Sequence, residues 1–467
     1  MTDPDLLLAL PAGIPWVLAS VLALLDGRKR WVGVLAAAGL GAGFLSLVWL
    51  CSVVLREGTI QTTVGGWPEN VGITLRADAL GVTFALVSVG VILVSMLYEL
   101  SLGVRWRTFP ALVLLVAAGL SGLFLTGDAF NFYVFFEISM TASFVLAGYR
   151  EKDYQIRAAF IFAVVNLLGS VLFLIGIAAL YSVTGSLDMD VISRRADLLD
   201  PSSVIAIAAL IFAAFCLKLG LFPFHFWLPA VYVGSHAPVA AILSGALANI
   251  GAYGLLRFGA GVLPRELELG APAVMAVGAA SIAYGSLQAV SRRDTSEVMA
   301  YSAIGQAGYV LLALGVGGPV GYAAAVVYAV VNSLNKGVVF LSAGLRGPLV
   351  GAAFAVGAFS IAGVPPAAGF LGKLAVIKAC LTVETVPTAV ALVALIFLGS
   401  ALSFLYSFQV YQRRFMRPGG EGKASPWAAR LLVGALAALV LLVGLWPEPL
   451  ALLSEAAAAA LTSGESR

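Results

Sequence analysis

The chain has 467 residues, of which 61% are hydrophobic and only 11% charged, and its mean hydropathy is +1.01. Soluble domains carry about 25% charged residues, and so apolar a globule would have no wettable surface, which excludes a soluble enzyme and makes the bilayer the solvent. The formal net charge is only +3, and no nucleic-acid partner is expected.

A spanning helix needs about 20 mostly apolar residues. Applied along the chain, that requirement predicts an all-α polytopic membrane protein of about fourteen transmembrane helices, near 6–25, 31–55, 77–98, 109–126, 129–148, 156–183, 203–228, 237–258, 272–291, 295–317, 320–343, 349–381, 386–410 and 427–446. The first run follows Asp3 and Asp5 rather than a basic stretch, so it reads as a span and not as a cleaved leader. Between the second and third spans, residues 59–76 with Gly65-Gly66-Trp67-Pro68 are turn-rich and predict a short extramembrane hairpin. Past Trp446 the Ala/Leu-rich tail Pro447 to Arg467 predicts a short helix lying at the surface. The expected divisions are 1–108, 109–258, 272–411 and 427–467.

The loops set an orientation. Odd-numbered loops hold sixteen basic residues: Arg28, Lys29, Arg30, Arg105, Arg107, Arg150, Lys152, Arg157, Arg292, Arg293, Arg346, Arg413, Arg414, Arg417, Lys423 and Arg430. Even-numbered loops and the C-terminus hold seven: Arg56, Arg76, Arg194, Arg195, Arg257, Arg265 and Arg467. The positive-inside rule then predicts odd loops in the cytoplasm and both termini outside. Four of the 27 basic residues remain, the lysines Lys218, Lys336, Lys373 and Lys378, and all fall inside predicted spans.

A charge at bilayer depth costs at least about 2.5–3.5 kcal/mol on insertion scales, so these lysines need a reason. Snorkelling is a sufficient one for Lys378, and in part for Lys336, because both lie near helix ends. Lys218, within Phe215-Cys216-Leu217-Lys218-Leu219-Gly220-Leu221, lies too far inside its segment for that. Glu137 is the one acid expected near mid-span, roughly 12 Å along the helix that begins near Ala129. Burial disfavours a charged lysine and a nearby carboxylate favours it, so movement of the acid would switch Lys218 between holding and releasing a proton. The plainer alternative is a static buried ion pair tying two helices.

Two spans are interrupted by proline, at Lys218-Leu219-Gly220-Leu221-Phe222-Pro223-Phe224-His225 and at Gly363-Val364-Pro365-Pro366-Ala367-Ala368-Gly369-Phe370-Leu371-Gly372-Lys373. Proline removes a backbone donor and clashes with the preceding turn, so both helices should break at membrane depth. Broken helices at matching places in two halves mark inverted-repeat transporters, with the relay site at the breaks; ordinary proline kinks are the alternative. Asn166, His225, His236, Ser244, Asn249, Ser302, Gln306, Asn332, Ser333 and Asn335 could carry hydrogen-bonded water from Lys218 to Lys373. His236, which titrates near neutrality when unperturbed, is the candidate relay among them. Cys51, Cys216 and Cys380 have no metal or disulfide spacing, and there is no nucleotide-binding fingerprint, so no cofactor or metal is expected.

Several of these motifs together resemble one family. Thr126-Gly127-Asp128-Ala129-Phe130-Asn131-Phe132-Tyr133-Val134-Phe135-Phe136-Glu137 is similar to the fifth-helix motif of the D-type component of Mrp cation/proton antiporters and its relatives in complex I and membrane-bound hydrogenases. The run from Lys218 to Pro229, then Ser235-His236-Ala237-Pro238, resembles that family's seventh-helix break; Ala300 to Gln306, Asn335-Lys336 and Gly363 to Lys373 resemble its later signatures. The resemblance extends from Gly66-Trp67-Pro68 to Lys373.

It implies fourteen helices with two inverted five-helix repeats, helices 4–8 and 9–13, with helices 7 and 12 broken. It also implies that Glu137 and Lys218 form the working pair and that Lys373 is the far relay lysine; His236 and Lys336 stand beside them as candidate site residues on their own chemistry. Two departures stand out: Asn249 replaces a frequent lysine and Asn332 a frequent histidine. The implied function is that of a transporter subunit rather than a stand-alone enzyme. It would translocate protons within a multisubunit Na+/H+ antiporter of a bacterial or archaeal cell membrane, with other membrane subunits as partners. The alternatives are a proton-pumping subunit of a complex I-like dehydrogenase, hydrogenase or inorganic-carbon uptake complex, and a non-conducting structural subunit.

Overall fold

The structure is a computed structural model and describes residues 4–67, 72–149, 153–416 and 426–462. Asp3, Pro68, Arg150, Lys152, Arg417, Lys423 and Arg467, used above, lie outside the described residues.

The chain begins with α1 (Pro4–Ala23) and α2 (Arg30–Glu57), followed by the antiparallel strands β1 (Ile60–Thr63) and β2 (Thr74–Ala77), which pair Ile60 with Ala77 and Thr63 with Thr74. Then come α3 (Ala79–Leu102), α4 (Phe109–Phe124), α5 (Ala129–Ala147), α6 (Asp153–Thr184) and a short α7 (Met189–Ala196). The first broken span is α8 (Pro201–Leu219) and α9 (Leu228–Gly234). The next is irregular in another way: α10 (Ala237–Ile242) and α11 (Asn249–Gly254) are each followed by π-helix, over Leu243–Leu247 and Leu255–Val262. The second half comprises α12 (Pro264–Ser291), α13 (Thr295–Val316), α14 (Gly318–Ala343), the broken pair α15 (Pro348–Ala362) and α16 (Ala368–Cys380), and α17 (Val386–Tyr411). Last come α18 (Trp427–Leu445) and α19 (Glu448–Thr462).

Among the described residues eleven helical stretches are long and apolar enough to cross a membrane, and Phe109–Phe124, Val204–Leu219 and Pro348–Ala362 are shorter apolar helices. Helices suit this solvent because they satisfy their own backbone groups where water cannot. The orphan N–H groups at several starts are met by aspartates: Asp78 accepts from Gly81, Asp128 from Asn131, and Asp294 from Ser296 and Glu297.

The centre of the bundle is the stretch Ala237–Val262 with α13 and α14: over an apolar run of 18 residues in each, 94%, 94% and 89% of residues are buried, against 28% in the corresponding runs of the α17 and α18 spans. Close approach of α12 and α13 needs glycine, since a Cβ on Gly285 would meet the backbone of Gly305 and one on Gly278 that of Gly308.

Loops of like parity gather at one end. At the odd end Gly27 donates to the carbonyl of Arg107 (2.7 Å), Gln155 to that of Gly234 (2.5 Å) and Arg413 to that of Arg293 (2.9 Å). At the even end Gly127 donates to the carbonyl of Thr74 (2.9 Å), and Arg76 reaches Asp190 on α7 (2.5 Å).

Two expectations change. The tail does form a helix, but α19 does not simply rest at the surface: Leu450, Ser454, Ala457, Ala458 and Leu461 form a buried stripe. Arg257, counted with the loops, is instead buried within the π-helical stretch of a span, 4% exposed.

Candidate functional site

Lys218 stands in the last turn of α8, 4% exposed. The helix stops two residues later because Gly220 adopts a left-handed conformation (φ 67°) that closes its end: Leu221 N–H donates to the carbonyl of Cys216 (3.1 Å). The carbonyl of Leu217 accepts both from Gly220 N–H (3.0 Å) and from the indole of Trp227 (3.1 Å), and Phe222 N–H donates to Ser281 on α12 (3.0 Å). The backbone polarity exposed by the break is thus met by protein.

The second break is built the same way. Gly363 (φ 84°) ends α15, Val364 N–H donates to the carbonyl of Phe359 (3.0 Å), and Gly369 N–H donates to Ser360 Oγ (2.9 Å). In both breaks a cis X–Pro bond ends on the proline three residues past the glycine, at Pro223 and Pro366. The lysines sit on opposite sides of their breaks, Lys218 before Gly220 and Lys373 after Gly363.

Glu137 and Lys218 do not form a direct ion pair. Glu137 is half-buried on α5 and accepts a hydrogen bond from Ser170 of α6. Lys218 Nζ meets α5 one turn further on, 2.7 Å from Met140 Sδ, and its ammonium lies 5.9 Å from the ring centre of Phe136 and 5.6 Å from that of Phe162. The acid and the point where the lysine meets α5 are therefore about one turn apart on that helix.

Lys373, 5% exposed, has oxygen partners: the carbonyl of Ala362 at 3.1 Å and Ser400 Oγ at 2.9 Å, with the ring of Tyr309 beneath it at 5.1 Å. Lys336 is buried in α14 one turn beyond Ser333. Lys378 is exposed, as snorkelling requires. His236 lies not between the lysines but at the odd end, just ahead of α10, with Nδ1 3.7 Å from Glu99 Oε2 and its ring edge-on to Trp106.

Asn249 bridges two helices: its Nδ2 donates to Ser88 Oγ on α3 and its Oδ1 accepts from Ser333 Oγ on α14, both at 2.9 Å. Further on, Tyr328 donates to Gln306 Oε1 (2.5 Å), and Tyr406 connects Ser302 (2.8 Å) with Ser403 (3.1 Å). Asn166 and Ser244 turn back onto carbonyls of their own helices, and His225 stacks on Phe222.

Sequence reasoning missed two groups of residues here. Beside the mid-span Glu137 there are buried acids at helix ends, since Glu99 and Asp78 have no exposure and Glu266 is 3% exposed. Glu99 fell one residue beyond the predicted end of its span, although Tyr98-Glu99-Leu100 continues the apolar run. Tyr309, Tyr328 and Tyr406 were passed over because buried tyrosines resemble ordinary core until their hydroxyl partners are known.

The transmembrane family described as NADH:quinone oxidoreductase/Mrp antiporter matches residues 126–399, which includes both breaks and all four intramembrane lysines. Among curated relatives, the D component of a Na+/H+ antiporter from Alkalihalophilus pseudofirmus is 30% identical over 95% of this chain and 94% of its own length. Among solved structures, a chain of the Mrp complex from Dietzia sp. superposes with a TM-score of 0.88 at 26% identity, over 99% of this chain and 98% of that one. A chain of respiratory complex I from Thermus thermophilus gives 0.76 at 26% identity, over 95% and 97%. Its sequence over more than half its length, its curated relatives and its fold agree: this chain belongs to the NADH:quinone oxidoreductase/Mrp antiporter transmembrane family.

Proposed function

We propose that the chain is the proton-translocating, D-type membrane component of an Mrp-type Na+/H+ antiporter, working with other membrane subunits in a cell membrane. The observation that carries this reading is the pair of like-built breaks, each with a buried lysine beside it. A lysine there holds a proton only when its charge is compensated, and each break puts irregular backbone next to it. The likeness between the breaks also supports two inverted five-helix repeats, over spans 4–8 and 9–13 of the sequence reading. The match to respiratory complex I favours one second reading, a proton-pumping subunit of a redox-driven complex. The subunits that copurify with the native chain decide between them.

In this reading the proton enters at the odd end through His236 and Glu99 and is held at Lys218 while Glu137 compensates it. It then passes along water bound by Asn249, Ser333 and Lys336 to Lys373. An asparagine cannot take and return a proton near neutrality, whereas an imidazole can. His236→Ala should therefore lower transport by about tenfold or more, an added barrier of about 1.4 kcal/mol, whereas Asn249→Lys should be tolerated or change only the pH profile. Transport in everted vesicles across a range of pH, with subunit levels checked by immunoblot, measures both. Unimpaired transport by His236→Ala would remove the histidine from the route.

With Arg257 placed in a span, the loop count is sixteen to six, and it supports a cytoplasmic odd end. Single cysteines placed at Arg28 or Arg413 should stay unlabelled by an impermeant thiol reagent added to intact cells and react in everted vesicles. The opposite pattern would invert the topology.

A further inference from the structure

Between α14, α16 and α19 lies a groove of about 530 Å³, within the roughly 300–1,000 Å³ of small-molecule sites. Its walls are mostly apolar, including Val320, Leu374, Leu450 and Ala458. Val320 is 49% and Leu374 36% exposed, so the groove opens on the lateral surface of the bundle. Its lining runs over 319–327 of α14, 371–378 of α16 and the length of α19. Lys378 stands two residues from the end of α16, at the even-loop end and so at the depth of lipid headgroups, and the apolar wall runs from there toward the bilayer interior.

Two charged side chains of opposite sign line it, Lys378 from α16 and Glu455 from α19. Both are exposed, and neither belongs to an ion pair among the described residues. Snorkelling accounts for Lys378 reaching this depth but not for a carboxylate lining the same apolar groove.

We propose that the groove binds a phospholipid whose headgroup carries a phosphate and a primary ammonium, as phosphatidylethanolamine does. Lys378 takes the phosphate, Glu455 takes the ammonium, and an acyl chain fills the apolar wall. Both polar contacts are charge-assisted hydrogen bonds. An anionic headgroup without an amine, as in phosphatidylglycerol, would set its phosphate on Lys378 but offer Glu455 no cation. A quaternary ammonium has no N–H to donate to the carboxylate. The complementary pair therefore selects the zwitterion with N–H donors.

The test uses the full-length chain in its native complex, washed in detergent, with retained phosphatidylethanolamine and phosphatidylglycerol quantified by mass spectrometry. The parent should retain phosphatidylethanolamine. Lys378→Gln should retain about tenfold less, since it removes one charge-assisted hydrogen bond to the phosphate. Glu455→Gln should lose the preference for phosphatidylethanolamine over phosphatidylglycerol. Ala451→Phe, which fills the groove without touching either charge, should expel the lipid if the charge variants fail to assemble. Equal retention in all three variants, preference for phosphatidylglycerol in the parent, or a polypeptide segment of a partner subunit seated in the groove would each overturn the assignment.

Discussion

Lys218→Met is expected to abolish proton-coupled transport while leaving the chain as stable as before, or more so. The ammonium it removes is buried, and its nearest neighbours are a thioether and two aromatic rings. Methionine fills nearly the same space and is freed from the insertion cost of about 2.5–3.5 kcal/mol that the charge carries. A purely structural lysine would show the reverse, because losing one member of a buried pair costs about 3–5 kcal/mol. Thermal stability of the purified complex and transport in everted vesicles, measured on one preparation, separate these outcomes. Glu137→Gln completes the test. The amide can still accept from Ser170 Oγ, so assembly should hold, but it no longer carries the charge that compensates Lys218. Wild-type transport by either variant would remove that residue from the proton route.

In the proposed relay Glu137 and Lys218 meet only transiently, and in this structure they form no direct ion pair. A permanently closed pair would be a tie between helices. Here the acid is held by Ser170 on one side and the lysine by Met140 on the other, one turn apart on α5. Closing the pair requires Glu137 to leave the serine and Lys218 to leave the thioether. Opening it leaves the lysine's charge uncompensated in an apolar site, which drives its proton onward.

What the sequence made legible was whatever carries its meaning locally. Lys218 and Lys373 stand out because a charge inside an apolar run is costly wherever the chain goes. Gly220 and Gly363, each followed by proline, announce a break because left-handed glycine and a missing donor are backbone properties. The buried stripe of α19 was also present, since Leu450, Ser454, Ala457, Ala458 and Leu461 repeat with helical period, but the tail's alanines hid it. The placement of His236 was not legible. Its neighbours Glu99 and Trp106 come from the end of α3 and the loop after it, and only tertiary packing sets the histidine at the odd mouth instead of between the lysines. The π-helical stretches around Asn249 have no sequence mark either.

The buried cluster around Asp78 was invisible for the same reason and supports the second large effect. Asp78 and Arg257, 179 residues apart, meet at 2.7 Å with side chains 1% and 5% exposed. Asp78 also caps α3 through Gly81 N–H (2.9 Å) and lies 3.2 Å from Arg76 on β2. Arg257 donates to the hydroxyl of Tyr253 (3.1 Å), which donates in turn to the carbonyl of Phe124 (3.1 Å). One carboxylate thus joins the hairpin, the start of α3 and the π-helical end of the central span. Asp78→Leu should destabilise the chain by about 3–5 kcal/mol, because it strands a buried guanidinium, and Arg257→Leu should do the same to the carboxylate. The double variant should recover most of that loss, leaving about 1 kcal/mol for the missing helix cap. Yield of assembled complex and its thermal midpoint in detergent measure the cycle, while transport per assembled complex should stay near that of the parent. Additive losses in the double variant would mean that the two groups stabilise the fold independently and that their short contact contributes nothing.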